Sequence, residues 1–235
     1  TCIEEKLIYQ LKENLQSNPL ISIIVPSYSK EKVIMKSIRS IQNQSLRNIE
    51  ILIVDDCSTD DSNTYYNELL RTDHRIRIVK HMKNMGVWRT RIDGFLYSRG
   101  EYIIHFDAGD LYSDNYVLED AYKVVKKHHL NSIKMTFRLF FNYNNLSYNL
   151  IPSNLLKINK TKIIYGSKNI ENYNKLIFAG WGNIWTRLTH SDIIFRGLNL
   201  LNTQILNLYK NLWEDNWWNI LINKVSRNFL VIKRI

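Results

Sequence analysis

Four short runs rich in isoleucine and valine constrain the fold of this chain more than any other feature. They read LISIIV at 20–25, IEILIV at 49–54, RIRIV at 75–79 and EYIIHF at 101–106. The stretches between them, near 30–43, 61–71 and 87–99, repeat apolar residues at helical spacing. Continuous apolar strands that alternate with helices are typical of a parallel sheet covered on both faces. The sequence therefore predicts an α/β fold with a mostly parallel central sheet flanked by helices.

Two breaks refine this outline. Residues 3–15 place apolar side chains at helical spacing, and Asn18-Pro19 ends that predicted helix. Pro26 is expected to end the first strand. At 235 residues, the chain suits a single domain with a sizeable core.

Composition argues against several classes of protein. With 45% hydrophobic residues and three prolines, the chain is globular and disorder is not expected. Its two cysteines, Cys2 and Cys57, lie in no CxxC pair and beside no spaced histidines, which argues against a disulfide framework and a structural zinc site. No apolar run approaches the roughly 20 residues that span a bilayer, so no membrane segment is expected within this chain. We expect a soluble domain, cytoplasmic or excised from a longer protein, and its location stays open.

The charge balance is basic. Lysine and arginine number 32 against 22 acids, which gives a net charge of +10 and favours partners that carry phosphate, nucleic acid, anionic lipid or acidic sugar. The basic residues are scattered and no nucleic-acid recognition motif is present, so nucleic acid is not an expected partner.

Polar residues follow the predicted strands. In open α/β sheets ligands bind at the carboxyl ends of the strands, and there the chain reads PSYS, DDCSTDDS, HMKNMG and DAGD. Asp55 and Asp56 lie directly at a strand end, whereas residues 58–61 suit capping of the following helix. The acids of HFDAGD, residues 105–110, either hold a metal ion or form a polar turn.

Glycine-rich phosphate loops are missing from the sequence. The first strand is followed by PSYSKE, so neither GxGxxG nor GxxxxGK[ST] is present, and no nucleophile elbow is visible. If a nucleotide binds, side chains and a metal ion must do what a glycine-rich backbone does elsewhere.

Four stretches together resemble family 2 glycosyltransferases with the GT-A fold, a Rossmann-like fold for nucleotide-sugar transfer. They are ISIIVPSYS, SIRSIQNQSLRNIEILIVDDCSTDDS, NMGVWRTRIDGFLYSRGEYIIHFDAGD and, far downstream, WEDNWWNILI. The resemblance covers residues 21–118 closely and the C-terminal third more loosely. It implies one GT-A domain over 1–235, with an N-terminal helix at 1–18, a donor-binding half at about 20–130 and an acceptor-binding half at about 131–235.

The resemblance also implies an activity. The family transfers a sugar, in hexosyltransferase fashion, from a nucleoside diphosphate donor to an acceptor hydroxyl with inversion at the anomeric carbon. The donor is usually a UDP-sugar, and the acceptor is a glycan, lipid or protein. Two alternatives stay open: a catalytically silent nucleotide-sugar binding module, and a nucleotidyltransferase of related fold.

Several positions match donor-binding residues of the family. Tyr28 matches an aromatic that stacks on the base, with Pro26 and Ser27 shaping the pocket. Asp56 matches the acid that hydrogen-bonds the uracil edge, with Asp55 beside it.

The phosphate side of the donor has its own matches. Arg91 matches an arginine near the donor phosphates, and Asp107 opens a DxD-like motif that binds the ribose and a divalent metal. We expect Mn²⁺ or Mg²⁺, because carboxylate oxygens that hold either ion neutralise a departing diphosphate. The chain departs from the family pattern at Gly109, where a second acid is usual, and Asp110 follows as the other metal-ligand candidate.

The downstream motif supplies the reaction's base. An acceptor hydroxyl needs a carboxylate base as it attacks, and by resemblance that base is Asp215, with Glu214 as an acceptor contact. Trp181 is a candidate for stacking on the acceptor ring. The alternative for WEDNWW is an ordinary helix N-terminus with tryptophans packed in the core.

Overall fold

A computed structural model describes residues 18–135, 139–143, 146–150, 162–165, 187–199 and 228–231. The first part of the chain alternates strand and helix. Its strands are β1 (Ile21–Ser27), β2 (Ile49–Asp55), β3 (Ile76–Lys80) and β4 (Tyr102–His105), and its helices are α1 (Ile34–Gln42), α2 (Ser62–Thr72), α3 (Val87–Tyr97) and α4 (Val117–Lys127). All four predicted strands are therefore confirmed, as are the three helices predicted between them.

The described remainder adds mainly strands. They are β5 (Ser132–Lys134), β6 (Leu139–Tyr143), β7 (Leu146–Leu150), β8 (Lys162–Tyr165), β9 (Arg187–His190) and β10 (Asn228–Val231), and helix α5 (Ser191–Asn199) follows β9. Strands β6 and β7 pair with each other as an antiparallel hairpin. The helix predicted at 3–15 lies outside the described residues.

Eight of the ten described strands form one sheet in the order β3-β2-β1-β4-β9-β5-β10-β8. The β3-β2-β1-β4 half is parallel, as predicted, whereas β9 runs antiparallel to both β4 and β5. Strand β1 has β2 on one side and β4 on the other, so the direction of winding reverses between β1 and β4. Such a switch point opens a crevice at the carboxyl ends of the strands, which is where ligands bind in this architecture.

Alternate side chains of the central strands enter two cores. Ile21, Ile23 and Val25 of β1 pack against α1, α2 and α4, whereas Ile24 packs on the opposite face with α3 and α5. Both faces are thus covered, which explains why these strands read as uninterrupted apolar runs. Each such side chain contributes about 1.5–3 kcal/mol by leaving water. None of the described helices combines the length and the apolarity that crossing a bilayer requires.

Two predicted boundaries were wrong. Strand β1 runs through Pro26 to Ser27, because the pairing with β4 ends at Ile24 and His105, so the missing N–H of Pro26 interrupts no ladder. Helix α1 begins at Ile34 instead of near residue 30, because the backbone N–H groups of residues 29–31 donate to side chains of the loop after β2.

Helix α3 lies unusually close to the sheet. A Cβ added to Gly94 would meet Cγ2 of Ile24 at 2.4 Å and Cγ2 of Val54 at 3.1 Å. Only a residue without a side chain permits this approach. Gly94 therefore sets the distance between α3 and strands β1 and β2.

Candidate functional site

The carboxyl ends of β1, β2 and β4 bring most of the predicted donor residues to one edge of the sheet. Pro26 and Ser27 end β1 and are buried, whereas the next residue, Tyr28, is 47% exposed. The Tyr66 hydroxyl on α2 donates to Oγ of Ser27 at 2.8 Å. The ring of Tyr28 is thus offered to solvent from a fixed strand end, as a stacking role requires.

Residues 58–62 mainly hold the loop after β1. Ser58 Oγ accepts from the N–H of Ser29 at 2.9 Å, Ser62 Oγ accepts from Lys30 at 3.1 Å, and Asp60 Oδ2 accepts from Glu31 at 3.0 Å. Helix capping explains them only in part: Asp60 Oδ1 accepts from the N–H of Ser62, but Asp61, the N-cap residue of α2, makes no side-chain capping bond. The loops after β1 and β2 therefore form one connected wall.

Asp55 ends β2 within that wall and is 2% exposed. Its Oδ1 accepts hydrogen bonds from the N–H and the hydroxyl of Ser58, and from the Tyr66 hydroxyl at 3.4 Å. These contacts direct Oδ1 of Asp55 toward the wall that the loops after β1 and β2 form.

Asp56 is the main acceptor for the loop between β3 and α3. Its Oδ1 receives hydrogen bonds from Nδ1 of His81 and from the N–H of Met85, both at 2.7 Å, and its Oδ2 receives the N–H of Gly86 at 2.8 Å. Asp56 is 3% exposed. A carboxylate has about four lone-pair sites, so three are already used within the protein. Contact with a uracil edge stays a prediction.

His81 was not among the predicted site residues. Its Nε2 lies 3.1 Å from Oδ2 of Asp93 on α3, and that same oxygen accepts from Nε of Arg89 at 2.8 Å. Only its position in the sequence could have identified it, because His81 directly follows β3 in the same way that Asp56 directly follows β2.

Arg91 and Asp107 form the central ion pair of this edge. Nη2 of Arg91 donates to Oδ1 of Asp107 at 2.9 Å. The Arg91 side chain is 4% exposed and that of Asp107 is 37% exposed. His105 is buried on β4, and burial together with the charge of Arg91 holds its pKa well below the ordinary value, so the imidazole is neutral at pH 7.

The DxD-like segment forms a tight turn. The N–H of Asp110 donates to the carbonyl of Asp107 at 3.0 Å, and the N–H of Gly109 donates to Oγ of Ser37 on α1 at 2.8 Å. Gly109 has a φ of 118°, a conformation that glycine adopts readily. The glycine that replaces the usual second acid is therefore required by the shape of this turn.

Asp110 has a raised affinity for protons. Burial, and then the charge of Asp107, raise its pKa to about 6. The buried hydroxyl of Tyr112 nearby makes no hydrogen bond within the described part of the chain, and its ring packs on Phe106 at 4.6 Å between centroids. Burial and the charge of Asp110 raise the pKa of Tyr112 as well. Negative charge is thus concentrated around this turn.

These residues fit a divalent metal ion of the Mg²⁺ or Mn²⁺ type. A cation would relieve the repulsion that raises the proton affinity of Asp110 beside Asp107, and Mg²⁺ is commonly held by one or two carboxylates together with substrate phosphates. No cluster of three or more histidine, cysteine or acidic side chains suited to a metal occurs among the described residues. Among the residues that the structure describes, the candidate metal ligands at this edge are thus Asp107 and Asp110.

Arg187 is a second buried arginine that sequence reasoning missed. It begins β9 and is 2% exposed, and its Nε donates to Oγ of Ser132 at 2.8 Å. Because β9 is antiparallel to β4, the start of β9 lies at the same edge as Asp107. No motif surrounds Arg187, so only the sheet register reveals its location. Trp181, Glu214 and Asp215, predicted for the acceptor side, lie outside the described residues.

Comparisons with known proteins agree with this architecture. The family model described as Glycosyl transferase family 2 matches residues 22–188. Glycosyltransferase GlyG of Streptococcus pneumoniae is 32% identical over 108 residues, which cover 46% of this chain and 36% of GlyG. Glycosyltransferase GlyA of the same species is 23% identical over 90% of this chain and 34% of GlyA. The chain spans about a third of the length of these relatives.

Solved structures of S. aureus TarS share the fold. One superimposes on 92% of this chain and 58% of the TarS chain, with a TM-score of 0.70 and 18% identity. TarS has also been solved with UDP, at the same TM-score, and with UDP-GlcNAc, at a TM-score of 0.67. The predicted GT-A fold is confirmed. Because the family match takes in well over half of the residues, this chain belongs to glycosyl transferase family 2.

Proposed function

We propose that this chain transfers a sugar from a nucleoside diphosphate to an acceptor hydroxyl. One observation carries the proposal: buried Arg91 is paired with half-exposed Asp107 at the switch point between β1 and β4. A diphosphate is recognised by a fixed cation with carboxylates beside it for a metal ion. Membership of family 2 supports the same reaction class.

The donor is a uridine diphosphate sugar. TarS has been solved with UDP and with UDP-GlcNAc, which supports a uridine nucleotide for a chain of the same fold. The exposed ring of Tyr28 stacks on the base, and the remaining lone-pair site of Asp56 accepts from the uracil edge. Ser27 and Asp55 fix the wall behind them.

Arg91 stabilises the leaving diphosphate. As the bond between the anomeric carbon and the diphosphate oxygen breaks, negative charge grows on that oxygen, and a preorganised cation is effective in a water-poor site. Asp107 and Asp110 would hold Mn²⁺ or Mg²⁺, which supplies further neutralisation of the diphosphate when bound. Asp107 also holds Arg91 in place before the donor arrives.

The acceptor hydroxyl attacks the anomeric carbon on the face opposite to the diphosphate. Its oxygen forms the new glycosidic bond, its proton passes to the carboxylate of Asp215, and the configuration inverts in a single displacement. Glu214 and Trp181 contact the acceptor, which is a glycan, lipid or protein hydroxyl. The roles of Asp215 and Glu214 rest on the sequence motif, and that of Trp181 rests on its aromatic ring, which suits stacking on a sugar.

The test is release of nucleoside diphosphate from a panel of UDP- and GDP-sugars, with Mn²⁺ and with EDTA. We expect metal-dependent release from a UDP-sugar, its loss in Asp107→Asn, and retention in the exposed control Asp114→Asn. Asp215→Asn is expected to abolish transfer while UDP binding, measured by calorimetry, is retained. Binding without turnover for every donor and acceptor would favour a silent binding module instead.

A further inference from the structure

His81 joins the end of β2 to helix α3 through two carboxylates. Its Nδ1 lies 2.7 Å from Oδ1 of Asp56, and its Nε2 lies 3.1 Å from Oδ2 of Asp93. The three side chains are between 5% and 11% exposed. Nδ1 makes a hydrogen bond with Asp56, whereas Nε2 lies close to Asp93 without hydrogen-bond geometry. We call this arrangement the Asp56–His81–Asp93 strut.

The strut is connected to the phosphate side of the site by α3. Arg91 lies two positions before Asp93 on that helix and reaches Asp107. Two backbone N–H groups directly before α3 also donate to Asp56, so the start of the helix is fixed through the backbone and through His81. The location of the Arg91 guanidinium therefore depends on how α3 is held.

We infer that His81 is a positioning residue of the donor site, which acts on the nucleoside diphosphate through α3 and Arg91 and not by touching it. The inference rests on the proposed function. Without the imidazole, Asp56 loses one of its three donors and the contact between this loop and Asp93 of α3 is lost, which favours a shift of the helix. A displacement of about 1 Å at a group that binds the reacting part of a substrate can cost on the order of 100-fold in rate.

The effect is expected to be local. Trp88, Ile92 and Phe95 of α3 are buried in an apolar cluster with Ile24, Leu52 and Val54 of the sheet, which holds the helix independently of the His81 imidazole. Helix α3 thus stays packed when His81 is replaced, while its N-terminal turn and Arg91 move.

A double-mutant cycle tests this role, with UDP binding measured by calorimetry on the full chain. We expect His81→Leu to weaken UDP binding about tenfold when Arg91 is present, and to have little effect in an Arg91→Ala background, since coupled residues are non-additive. Asp93→Asn is expected to weaken UDP binding in the same direction, with no further loss when combined with His81→Leu. His81→Gln, a polar replacement, serves if the leucine variant does not fold.

The matched control is His74→Leu, because His74 is exposed in the turn before β3. It is expected to bind UDP as the wild type does. Equal losses from His81→Leu in both Arg91 backgrounds, or no loss at all, would overturn the inference alone. Absence of UDP binding by the wild-type chain would instead overturn the proposed donor, and the inference with it.

Discussion

Nη2 of Arg91 donates to Oδ1 of Asp107 at 2.9 Å, and this bond joins helix α3 to the turn after β4. The two partners are unequal, because the arginine side chain is 4% exposed and the aspartate side chain is 37% exposed. The cation is thus set inside the protein, while the carboxylate reaches the surface. Of the two partners, Asp107 is the one that a ligand from solvent can reach.

This difference in exposure predicts that mutation of Arg91 and mutation of Asp107 change the free energy of unfolding by different amounts. In Arg91→Met, Asp107 can be hydrated, so the free energy of unfolding is expected to fall by less than about 1 kcal/mol. In Asp107→Asn a buried cation loses this carboxylate, and a loss of about 2–3 kcal/mol is expected. Both variants are expected to lower kcat/KM by about 100-fold or more, because Arg91→Met removes a cation from the diphosphate and Asp107→Asn removes a ligand of the proposed metal ion.

Urea unfolding and diphosphate release, measured below the unfolding temperature of each variant, check this pair. Asp114→Asn is the control and is expected to remain within about 0.5 kcal/mol of the wild type. Equal stability losses in the two variants would contradict the asymmetry, and full activity in Arg91→Met would remove Arg91 from the site.

The raised pKa of Asp110 predicts that the stability of the protein depends on pH. Its pKa is raised to about 6 by burial and by Asp107, from an ordinary value near 3.8. A carboxyl whose pKa is raised by folding stabilises the protein below its unfolded pKa, and that contribution is lost as the pH rises through the folded pKa. Between about pH 4 and pH 6 the wild type is expected to lose on the order of 1 kcal/mol relative to Asp110→Asn, since solvent screens this partly exposed group.

The measurement is urea unfolding of both proteins in EDTA across this pH range. Metal-dependent diphosphate release is expected to change in the opposite direction and to rise through about pH 6, because a metal ion needs the ionised carboxylate. A stability difference between the two proteins that does not vary with pH would contradict the shift.

The strands and the ligand edge could be predicted from sequence because their signals are local. Uninterrupted runs such as IEILIV indicate a strand buried on both faces, and the residues after a strand are fixed by chain order. Chain order alone therefore predicts that Tyr28, Asp55, Asp56 and Asp107 lie at one edge of the sheet.

The remaining contacts depend on tertiary geometry that no short pattern carries. Pairing of His81 with Asp56 and Asp93 requires the distance between α3 and β2, which Gly94 sets through contact with Ile24. Arg187 reaches the site edge only because β9 is inserted antiparallel beside β4. A sequence pattern contains neither the register of β9 nor the approach of α3.

The backbone conformation of Gly109 predicts that placing the usual second acid of the DxD-like motif at this position does not improve metal binding. Gly109→Asp gives HFDADD, but a φ of 118° is strained for any residue with a side chain, at a cost of about 1–3 kcal/mol. The strain is in the backbone alone, because an added Cβ would meet only Cγ2 of Val33, at 4.0 Å. We expect lower stability and a higher Mn²⁺ requirement in both Gly109→Asp and Gly109→Ala.

Thermal unfolding and a Mn²⁺ titration of diphosphate release measure these two effects. Comparison of the two variants separates strain from charge, since alanine adds only the Cβ. If Gly109→Asp needed less Mn²⁺ than the wild type, the glycine would be a missing ligand and not a requirement of the turn.

Replacing Gly94 by alanine is expected to lower the free energy of unfolding, although alanine has the higher helix propensity. In an exposed helix, replacing glycine by alanine stabilises by about 1 kcal/mol. Here the added Cβ would lie 2.4 Å from Cγ2 of Ile24, so Gly94→Ala is expected to push α3 from the sheet and destabilise the protein by about 1–3 kcal/mol.

Because Arg91 moves with α3, UDP binding is expected to weaken in Gly94→Ala as well. Ile24→Ala removes that Cγ2, so Gly94→Ala is expected to cost less stability and less UDP binding in this background than in the wild type. Urea unfolding and calorimetry measure them, and a Gly94→Ala protein as stable as the wild type would show that α3 is not held by this contact.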